Sequence, residues 1–240
     1  MPSIKIVSLH FSYDGQKEIL AHINFTACGP QSIGLVGANG AGKSTLLKLL
    51  VGLQLCPSGT ITINDLPLIK SHLSRIREQM GYVFQDAHHQ LFMPTVFEDV
   101  AFGPHSYGYP PKEVYLRVMD ALQKVHMASF KHKPIYELSG GQKKLVSIAT
   151  ILSMNPSILL LDEPSSGLDP RNRKQLITIL KDMKLLKIIA SHDLDFIYDT
   201  CERTLLLSNG TLVADGPTKE ILSNETLLKD NGLELPLRLQ

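Results

Sequence analysis

The sequence predicts an α/β fold: a core of alternating strands and helices, an antiparallel β subdomain beside it, and an α-helical subdomain inserted in the middle. Three observations point there. Short apolar runs at residues 32–36, 158–161 and 187–191 alternate with amphipathic helical stretches at 43–51 and 170–183, the order expected of a sheet covered by helices. Strands of alternating polarity flank turn signals near both ends, Asp14-Gly15 and Asn209-Gly210. Between residues 86 and 155 the spacing becomes purely helical.

Taken in order, Ile4, Ile6, Leu9 and Phe11 lead to Asp14-Gly15, after which Ile19, Ala21, Ile23 and Phe25 alternate with more polar residues, predicting a β-hairpin. Ser32-Ile33-Gly34-Leu35-Val36 is a short strand running into a Gly-rich turn, and residues 43–51 read as a helix with Leu46, Leu47 and Leu50 on one side. Further strands are predicted at 59–63 and 81–84. Behind Pro110-Pro111, residues Val114, Val118, Leu122 and Val125 fall at helical spacing, and Leu145, Ile148, Ala149 and Leu152 form a second stripe. After Pro156 the alternation returns: a strand at 158–161, a helix at 170–183 with Leu176, Ile179, Leu180 and Met183 inward, and a strand at 187–191. Asp169 and Pro170 suit the cap and first turn of that helix. A last hairpin pairs 204–208 with 211–215. One domain is expected, with the core and its β subdomain at 1–85 and 156–220, the helical subdomain at 86–155, and a tail at 221–240 that ends in a helix packed on the core.

Composition narrows the function classes. The 240 residues carry 24 Lys+Arg against 23 Asp+Glu, a net charge of +1, with 43% hydrophobic residues, enough for a packed core. So balanced a charge lacks the basic footprint of a nucleic-acid-binding domain. The most apolar run, residues 46–56, is broken by Lys48, Gly52 and Gln54, so no segment is expected to span a bilayer. Met1-Pro2-Ser3-Ile4-Lys5 lacks a secretory pattern, and Cys28, Cys56 and Cys201 are odd in number and widely spaced, as expected in a reducing cytoplasm.

Two motifs carry chemistry. Gly37-Ala38-Asn39-Gly40-Ala41-Gly42-Lys43-Ser44 fits G-x-x-x-x-G-K-[ST], in which glycines let consecutive N–H groups curl around phosphates and the following helix adds its positive end. Lys43 is expected to reach the β and γ phosphates and Ser44 to ligate Mg²⁺. A Gly-rich turn is the plain alternative, disfavoured by the strand before and the helix after. Ile158-Leu159-Leu160-Leu161-Asp162-Glu163 is the continuous apolar run of a strand buried on both faces, ending in adjacent acids where α/β sheets place ligands. Neighbouring strand residues point opposite ways, so Asp162 can face the Mg²⁺ shell while Glu163 orients or deprotonates a water. A lone Asp-Glu is as often a solvated turn; the phosphate loop shifts the balance.

Leu138-Ser139-Gly140-Gly141-Gln142 offers a Ser cap, glycine N–H groups and a helix start, which alone is more often a turn than a second anion site. Here it resembles the signature segment of the ATP-binding cassette (ABC) ATPases, and the resemblance covers nearly the whole chain in the right order. It implies a P-loop NTPase (RecA-like) core with ATP and Mg²⁺ as cofactors. In that pattern Tyr13 corresponds to the aromatic that stacks on adenine, Gly37 to Gly42 with Lys43, Ser44 and Thr45 to the nucleotide-binding loop, and Gln85 to the glutamine after a strand. Ser44, Gln85 and Asp162 would hold Mg²⁺. Ser166-Gly167-Leu168-Asp169 corresponds to the loop after the carboxylates. Glu163, His192 and Gln85 take the catalytic positions, His192 as the switch histidine on the γ-phosphate. The family pattern further implies a head-to-tail dimer, homomeric or of paralogous chains, in which Ser139, Gly140, Gly141 and Gln142 bind ATP held by the other subunit.

The segment Val83-Phe84-Gln85-Asp86, with Gln90-Leu91-Phe92, then Glu98-Asp99-Val100-Ala101-Phe102-Gly103-Pro104 and the tail Gly232-Leu233-Glu234-Leu235-Pro236, is similar to the energy-coupling-factor ATPases, in particular those of cobalt and nickel uptake. That implies an ATP-hydrolysing subunit of an importer, peripheral on the cytoplasmic face of the membrane. Its partners would be an integral membrane coupling protein and a substrate-binding membrane protein, with no nucleic acid. A vitamin importer of the same type, a soluble non-transport ABC ATPase and an exporter ATPase are the alternatives. Ala87-His88-His89 and Leu145 depart from the group's pattern; Leu145 fits the apolar stripe of its helix. The nine histidines predict no metal site, since only His88-His89 is paired and no Cys or carboxylate stands at ligand spacing. Phe92, Met93, Phe97, Phe102, Tyr107 and Tyr109 form either the insert's own small core or a surface that receives the membrane partner. The tail reads as too short for an extra dimerisation domain.

Overall fold

The computed structural model describes residues 1–13, 17–55 and 58–240, so the Asp14-Gly15 turn and Cys56 lie outside the described residues. In chain order the strands and helices are β1 (Ser3–Phe11), β2 (Leu20–Cys28), β3 (Gln31–Val36), α1 (Lys43–Leu50), β4 (Ser58–Ile63), β5 (Leu66–Pro67), α2 (Leu73–Arg77) and β6 (Met80–Val83). They continue with α3 (Val96–Ser106), α4 (Pro111–Lys124), α5 (Gly140–Leu152), β7 (Ile158–Asp162), α6 (Pro170–Asp182) and β8 (Leu186–Ala190). The chain ends with α7 (Leu194–Thr200), β9 (Arg203–Ser208), β10 (Thr211–Pro217), α8 (Thr218–Leu222) and α9 (Glu225–Asp230).

Two sheets result, a four-stranded one ordered β2-β1-β4-β5 and a six-stranded one ordered β10-β9-β3-β8-β7-β6. The first is antiparallel; in the second only the β9–β10 edge pair is antiparallel. The unbroken apolar run in β7 follows from burial on both faces. Leu159 and Leu161 enter the core shared with α3–α6, whereas Ile158 and Leu160 enter the core shared with α1 and the antiparallel sheet. The last hairpin turns on Asn209 and Gly210, both left-handed (φ 45° and 78°), as a tight two-residue connection demands.

The first hairpin pairs as expected from Ile23 onward, but its start is shifted. Leu20 is fully buried while Ile19 and Ala21 are only partly covered. The cause is local: His22 is left-handed (φ 53°), and the β1–β2 register slips between the Leu9–Ile23 and Phe11–Leu20 pairs. Such a bulge moves every earlier residue to the other face.

The inserted helices pack on one another and on the sheet. Helix α3, missed by periodicity, starts at a capping box: the Thr95 side chain accepts from the Glu98 N–H and the Glu98 carboxylate accepts from the Thr95 N–H. Leu145 is buried in α5, in keeping with its apolar stripe. The six aromatic and Met residues divide: Phe97 and Tyr109 pack against the core, whereas Phe92 and Phe102 stay exposed, 4.8 Å apart edge to face. The tail is anchored by buried Leu228 in α9 and by Arg238, which pairs with Asp195 and Asp199 of α7 at 2.7 Å and lies over Tyr198. Among the described residues no helix is long and apolar enough to cross a membrane.

Asp99, buried in the first turn of α3, accepts the N–H groups of Phe92 (3.3 Å) and Met93 (3.1 Å) and so holds the loop that presents Phe92. Burial outweighs those donors and pushes its carboxyl up to about 6, from an ordinary 3.8. The folded chain therefore holds this proton to higher pH than the unfolded chain, and stability falls as pH rises through the window 3.8 to 6, then levels off. The loss is on the order of 3 kcal/mol. The difference in stability between wild type and Asp99→Asn, which does not ionise, should carry that slope when urea unfolding is followed against pH.

Candidate functional site

The site forms where β3, β7 and β8 end together. After Val36 the chain turns through residues 37–42 into α1. Gly37 is required by close approach, since a Cβ there would stand 2.2 Å from the Leu207 carbonyl oxygen, and Gly42 by its left-handed φ of 105°. The first turn of α1 has no side-chain cap and no acidic residue, which leaves its N–H groups and positive end free for an anion. Lys43 bends back over the loop, its Nζ donating to the carbonyls of Gly37 (2.7 Å) and Ala38 (3.1 Å). Burial holds its pKa below the ordinary lysine range, against the opposing pull of Glu163 and Asp162.

Asp162 and Glu163 do diverge. The Asp162 carboxylate, 4% exposed, accepts from Ser44 Oγ at 3.0 Å on one oxygen and from the Tyr82 hydroxyl at 2.9 Å on the other. Glu163 is left-handed (φ 45°) and turns to the end of β8, accepting from Ser191 Oγ and from the His192 N–H, each at 3.0 Å. His192 Nδ1 lies 2.9 Å from the same carboxylate, while most of the ring is solvent-exposed. A φ of this sign in a non-glycine residue costs on the order of 1–3 kcal/mol, the kind of strain that concentrates at functional sites.

One cleft of about 500 Å³ gathers Tyr13, residues 39–45, Gln85, Glu163 and His192. Tyr13 is half-exposed at its rim, its hydroxyl 3.2 Å from Thr45 Oγ1. Gly37 and Ala38 are not on its wall and serve as acceptors for Lys43. A neighbouring cleft of about 480 Å³ is bordered by Ser44, Tyr82, Gln85, Asp162, Lys144 and Gly140, so Gln85 stands between the two. Ser139, Gly141 and Gln142 border neither. Ser139 and Gln142 instead close a capping box on α5, and Gly141 packs on Asn172, where a Cβ would stand 2.6 Å from the amide nitrogen. The hydroxyl, carboxylate and amide oxygens of Ser44, Asp162 and Gln85 are hard donors suited to Mg²⁺. Among the described residues no group of three or more His, Cys, Asp or Glu gathers to hold another metal.

Sequence reasoning missed Tyr82, Ser191 and Lys144. The buried Lys144 ammonium donates to the carbonyls of Phe84 (3.2 Å) and Gln85, tying α5 to the Gln85 loop, and burial lowers its pKa. Gln90 makes a parallel tie, accepting from the Phe84 N–H and donating to the Ser147 carbonyl. A signal for Tyr82 existed only with strand order in hand: β6 pairs with β7 so that Tyr82 faces Leu160, two residues before Asp162 and on the same side of the sheet.

This fold, with a glycine loop between strand and helix and an acidic pair at the adjoining strand ends, defines an ATP-binding P-loop ATPase. The ABC transporter family model matches residues 20–166, and the chain belongs to that family of transport ATPases. A protein of Geobacter sulfurreducens named "Putative ABC transporter ATP-binding protein" is 49% identical over 237 residues, 99% of this chain and 95% of the relative. An energy-coupling factor transporter ATP-binding protein of Methanospirillum hungatei is 38% identical over 244 residues, 100% of this chain and 61% of that one. Among solved structures, CbiO1 of Clostridium perfringens, described as part of the ABC transporter complex CbiONQ, superposes with a TM-score of 0.86 at 33% identity. That match covers 95% of this chain and 93% of that one.

Proposed function

We propose that this chain is the ATP-hydrolysing subunit of an energy-coupling-factor type importer, working with Mg²⁺ at the cytoplasmic face of the membrane, with Co²⁺ or Ni²⁺ as cargo. The observation that carries the catalytic part is the meeting of Lys43, Ser44, Glu163 and His192, drawn from three strand ends, around one cleft, with Asp162 joined to it through its hydrogen bond from Ser44. Residues 39–45, which line the cleft, wrap the phosphates with backbone N–H groups, while Gly37 and Ala38 begin the turn that shapes the loop. Lys43, held on its own loop, exchanges two carbonyl acceptors for β- and γ-phosphate oxygens. Ser44, Asp162 and Gln85 supply oxygen ligands for Mg²⁺, which when bound neutralises developing phosphate charge. Glu163 takes the proton of the attacking water. The Ser191 hydroxyl and the His192 N–H keep its carboxylate aimed. The His192 ring, beside Glu163 on the wall of the cleft, is placed for the γ-phosphate.

Ser139, Gly140, Gly141 and Gln142 act in trans. Ser139, Gly141 and Gln142 border neither cleft of their own subunit, Gly140 borders only the one beside Asp162, and the segment presents a capped helix start, which supports a second ATPase subunit, identical or paralogous, bringing them onto the γ-phosphate. Ser139→Arg places a bulky cation at that contact. ATP binding to the monomer should persist, while hydrolysis should fall by about 10²-fold when both sites carry the change; turnover close to wild type removes the trans role.

Exposed Phe102, with exposed Phe92 edge to face against it, borders a groove lined by Met93, Phe97, Ala101 and His105, a surface suited to the coupling helices of a membrane partner. Lys144 and Gln90 link the Gln85 loop to α5, a mechanical route from nucleotide to that surface. Affinity purification from native membranes should recover an integral membrane coupling protein and a substrate-binding membrane protein. Cells carrying the assembly should accumulate radiolabelled Co²⁺ or Ni²⁺. Uptake of a vitamin instead would reassign the cargo, and recovery on ribosomes or DNA would overturn the importer reading.

A further inference from the structure

The two oxygens of the Asp162 carboxylate are held in different ways. Oδ1 accepts from Ser44 Oγ at 3.0 Å, on the side of the glycine loop. Oδ2 accepts from the Tyr82 hydroxyl at 2.9 Å, with Tyr82 only 6% exposed. The tyrosine is itself fixed: β6 is locked to β7 in register, and the ring meets Phe84 edge to face at 4.8 Å. The hydroxyl is the donor of this bond and the carboxylate oxygen its acceptor.

We propose that Tyr82 is a positioning residue that confines Asp162 to ligation through one oxygen, and that it thereby sets the preference of this site for Mg²⁺ over Ca²⁺. Mg²⁺ demands near-octahedral geometry with short bonds, whereas Ca²⁺ accepts six to eight oxygens and readily takes both oxygens of a carboxylate. Turning Asp162 so that Oδ2 also meets the metal breaks the hydrogen bond and leaves a buried hydroxyl without a partner. The carboxylate is therefore pre-set for the smaller ion. This inference rests on the reading of Asp162 and Ser44 as metal ligands.

The experiment uses the full chain with ATP and measures Mn²⁺ binding by electron paramagnetic resonance, with Mg²⁺ and Ca²⁺ as competitors. Tyr82→Phe is expected to weaken Mg²⁺ about ten-fold or more, the range seen when a group supporting a metal ligand is removed. Ca²⁺ should weaken much less, so the Mg²⁺/Ca²⁺ ratio falls, while ATP binding in EDTA stays unchanged. A ratio that does not move overturns the proposal. Tyr82→3-fluorotyrosine, nearly isosteric and a stronger donor, covers the case in which the phenylalanine variant does not fold: its ratio should equal or exceed that of wild type, and a lower one overturns the proposal. Ser44→Ala separates the two readings. If it weakens both ions and Tyr82→Phe leaves their ratio unchanged, the inference about Tyr82 alone fails; if it leaves both ions unaffected, the metal-ligand reading itself fails.

Discussion

Glu163→Gln should cut ATP turnover by about 10²–10⁴-fold, the contribution of a positioned general base, while MgATP affinity stays within a factor of about three. The physical case is the geometry of this carboxylate. It lies at the end of β7, turned toward β8 by a left-handed φ of 45°, and it is held by the Ser191 hydroxyl and the His192 backbone. Glutamine keeps the size and one accepting oxygen, so the fold and the phosphate loop are preserved, but it does not take a proton from water. The variant should therefore accumulate as an ATP-bound closed dimer, visible by size-exclusion chromatography in the presence of MgATP. Turnover near that of wild type would remove Glu163 as the base.

Lys43→Ala should abolish measurable nucleotide binding at micromolar protein. The Nζ donates to the carbonyls of Gly37 and Ala38, and burial destabilises its charge there. A phosphate anion relieves that penalty and offers charge-assisted hydrogen bonds, each contributing about 1.5–3 kcal/mol. Loss of two such bonds corresponds to an affinity loss of about 10²-fold or more. The alanine variant also loses the ties from Lys43 to its own loop, so Lys43→Arg is the useful companion: it keeps the charge but brings a broad planar fork in place of a compact ammonium. Fluorescent ATP titrations should rank wild type far above both variants, and unchanged binding by Lys43→Ala would refute the phosphate-loop assignment.

Much of the architecture was legible because its signals are short-range. The glycine loop, the Ile158 to Leu161 run and the Asn209-Gly210 turn each state a local backbone requirement that few alternatives satisfy. Helix α3 was less so: its evidence was the Thr95–Glu98 capping box rather than an apolar period, and Pro104 lies within it. The shifted start of β2 was hidden for another reason. A bulge at His22 reverses the facing of residues before it, and nothing in the alternation of Ile19, Ala21 and Ile23 announces a left-handed histidine. The aromatic cluster near the insert was open to two readings, and packing divided it, setting a partly buried Phe97 against the core while leaving Phe92 and Phe102 in the open.

The sequence by itself determined the kind of chemistry, because phosphate binding needs consecutive N–H groups, one lysine and a hydroxyl within a single turn, and these occupy adjacent positions from Gly37 to Ser44. It also placed Asp162 and Glu163 together at the end of one buried strand, but the strand stops at Asp162 and the left-handed backbone of Glu163, not strand alternation, turns the second acid away. Only the tertiary structure decided what holds those groups. Ser44 meets Asp162 across 118 residues, Tyr82 meets it across 80, and Lys144 reaches the carbonyl of Gln85 across 59. Which strand lies beside which, and in what register, is settled by how the two cores close around the six-stranded sheet. No local pattern in the chain encodes that adjacency.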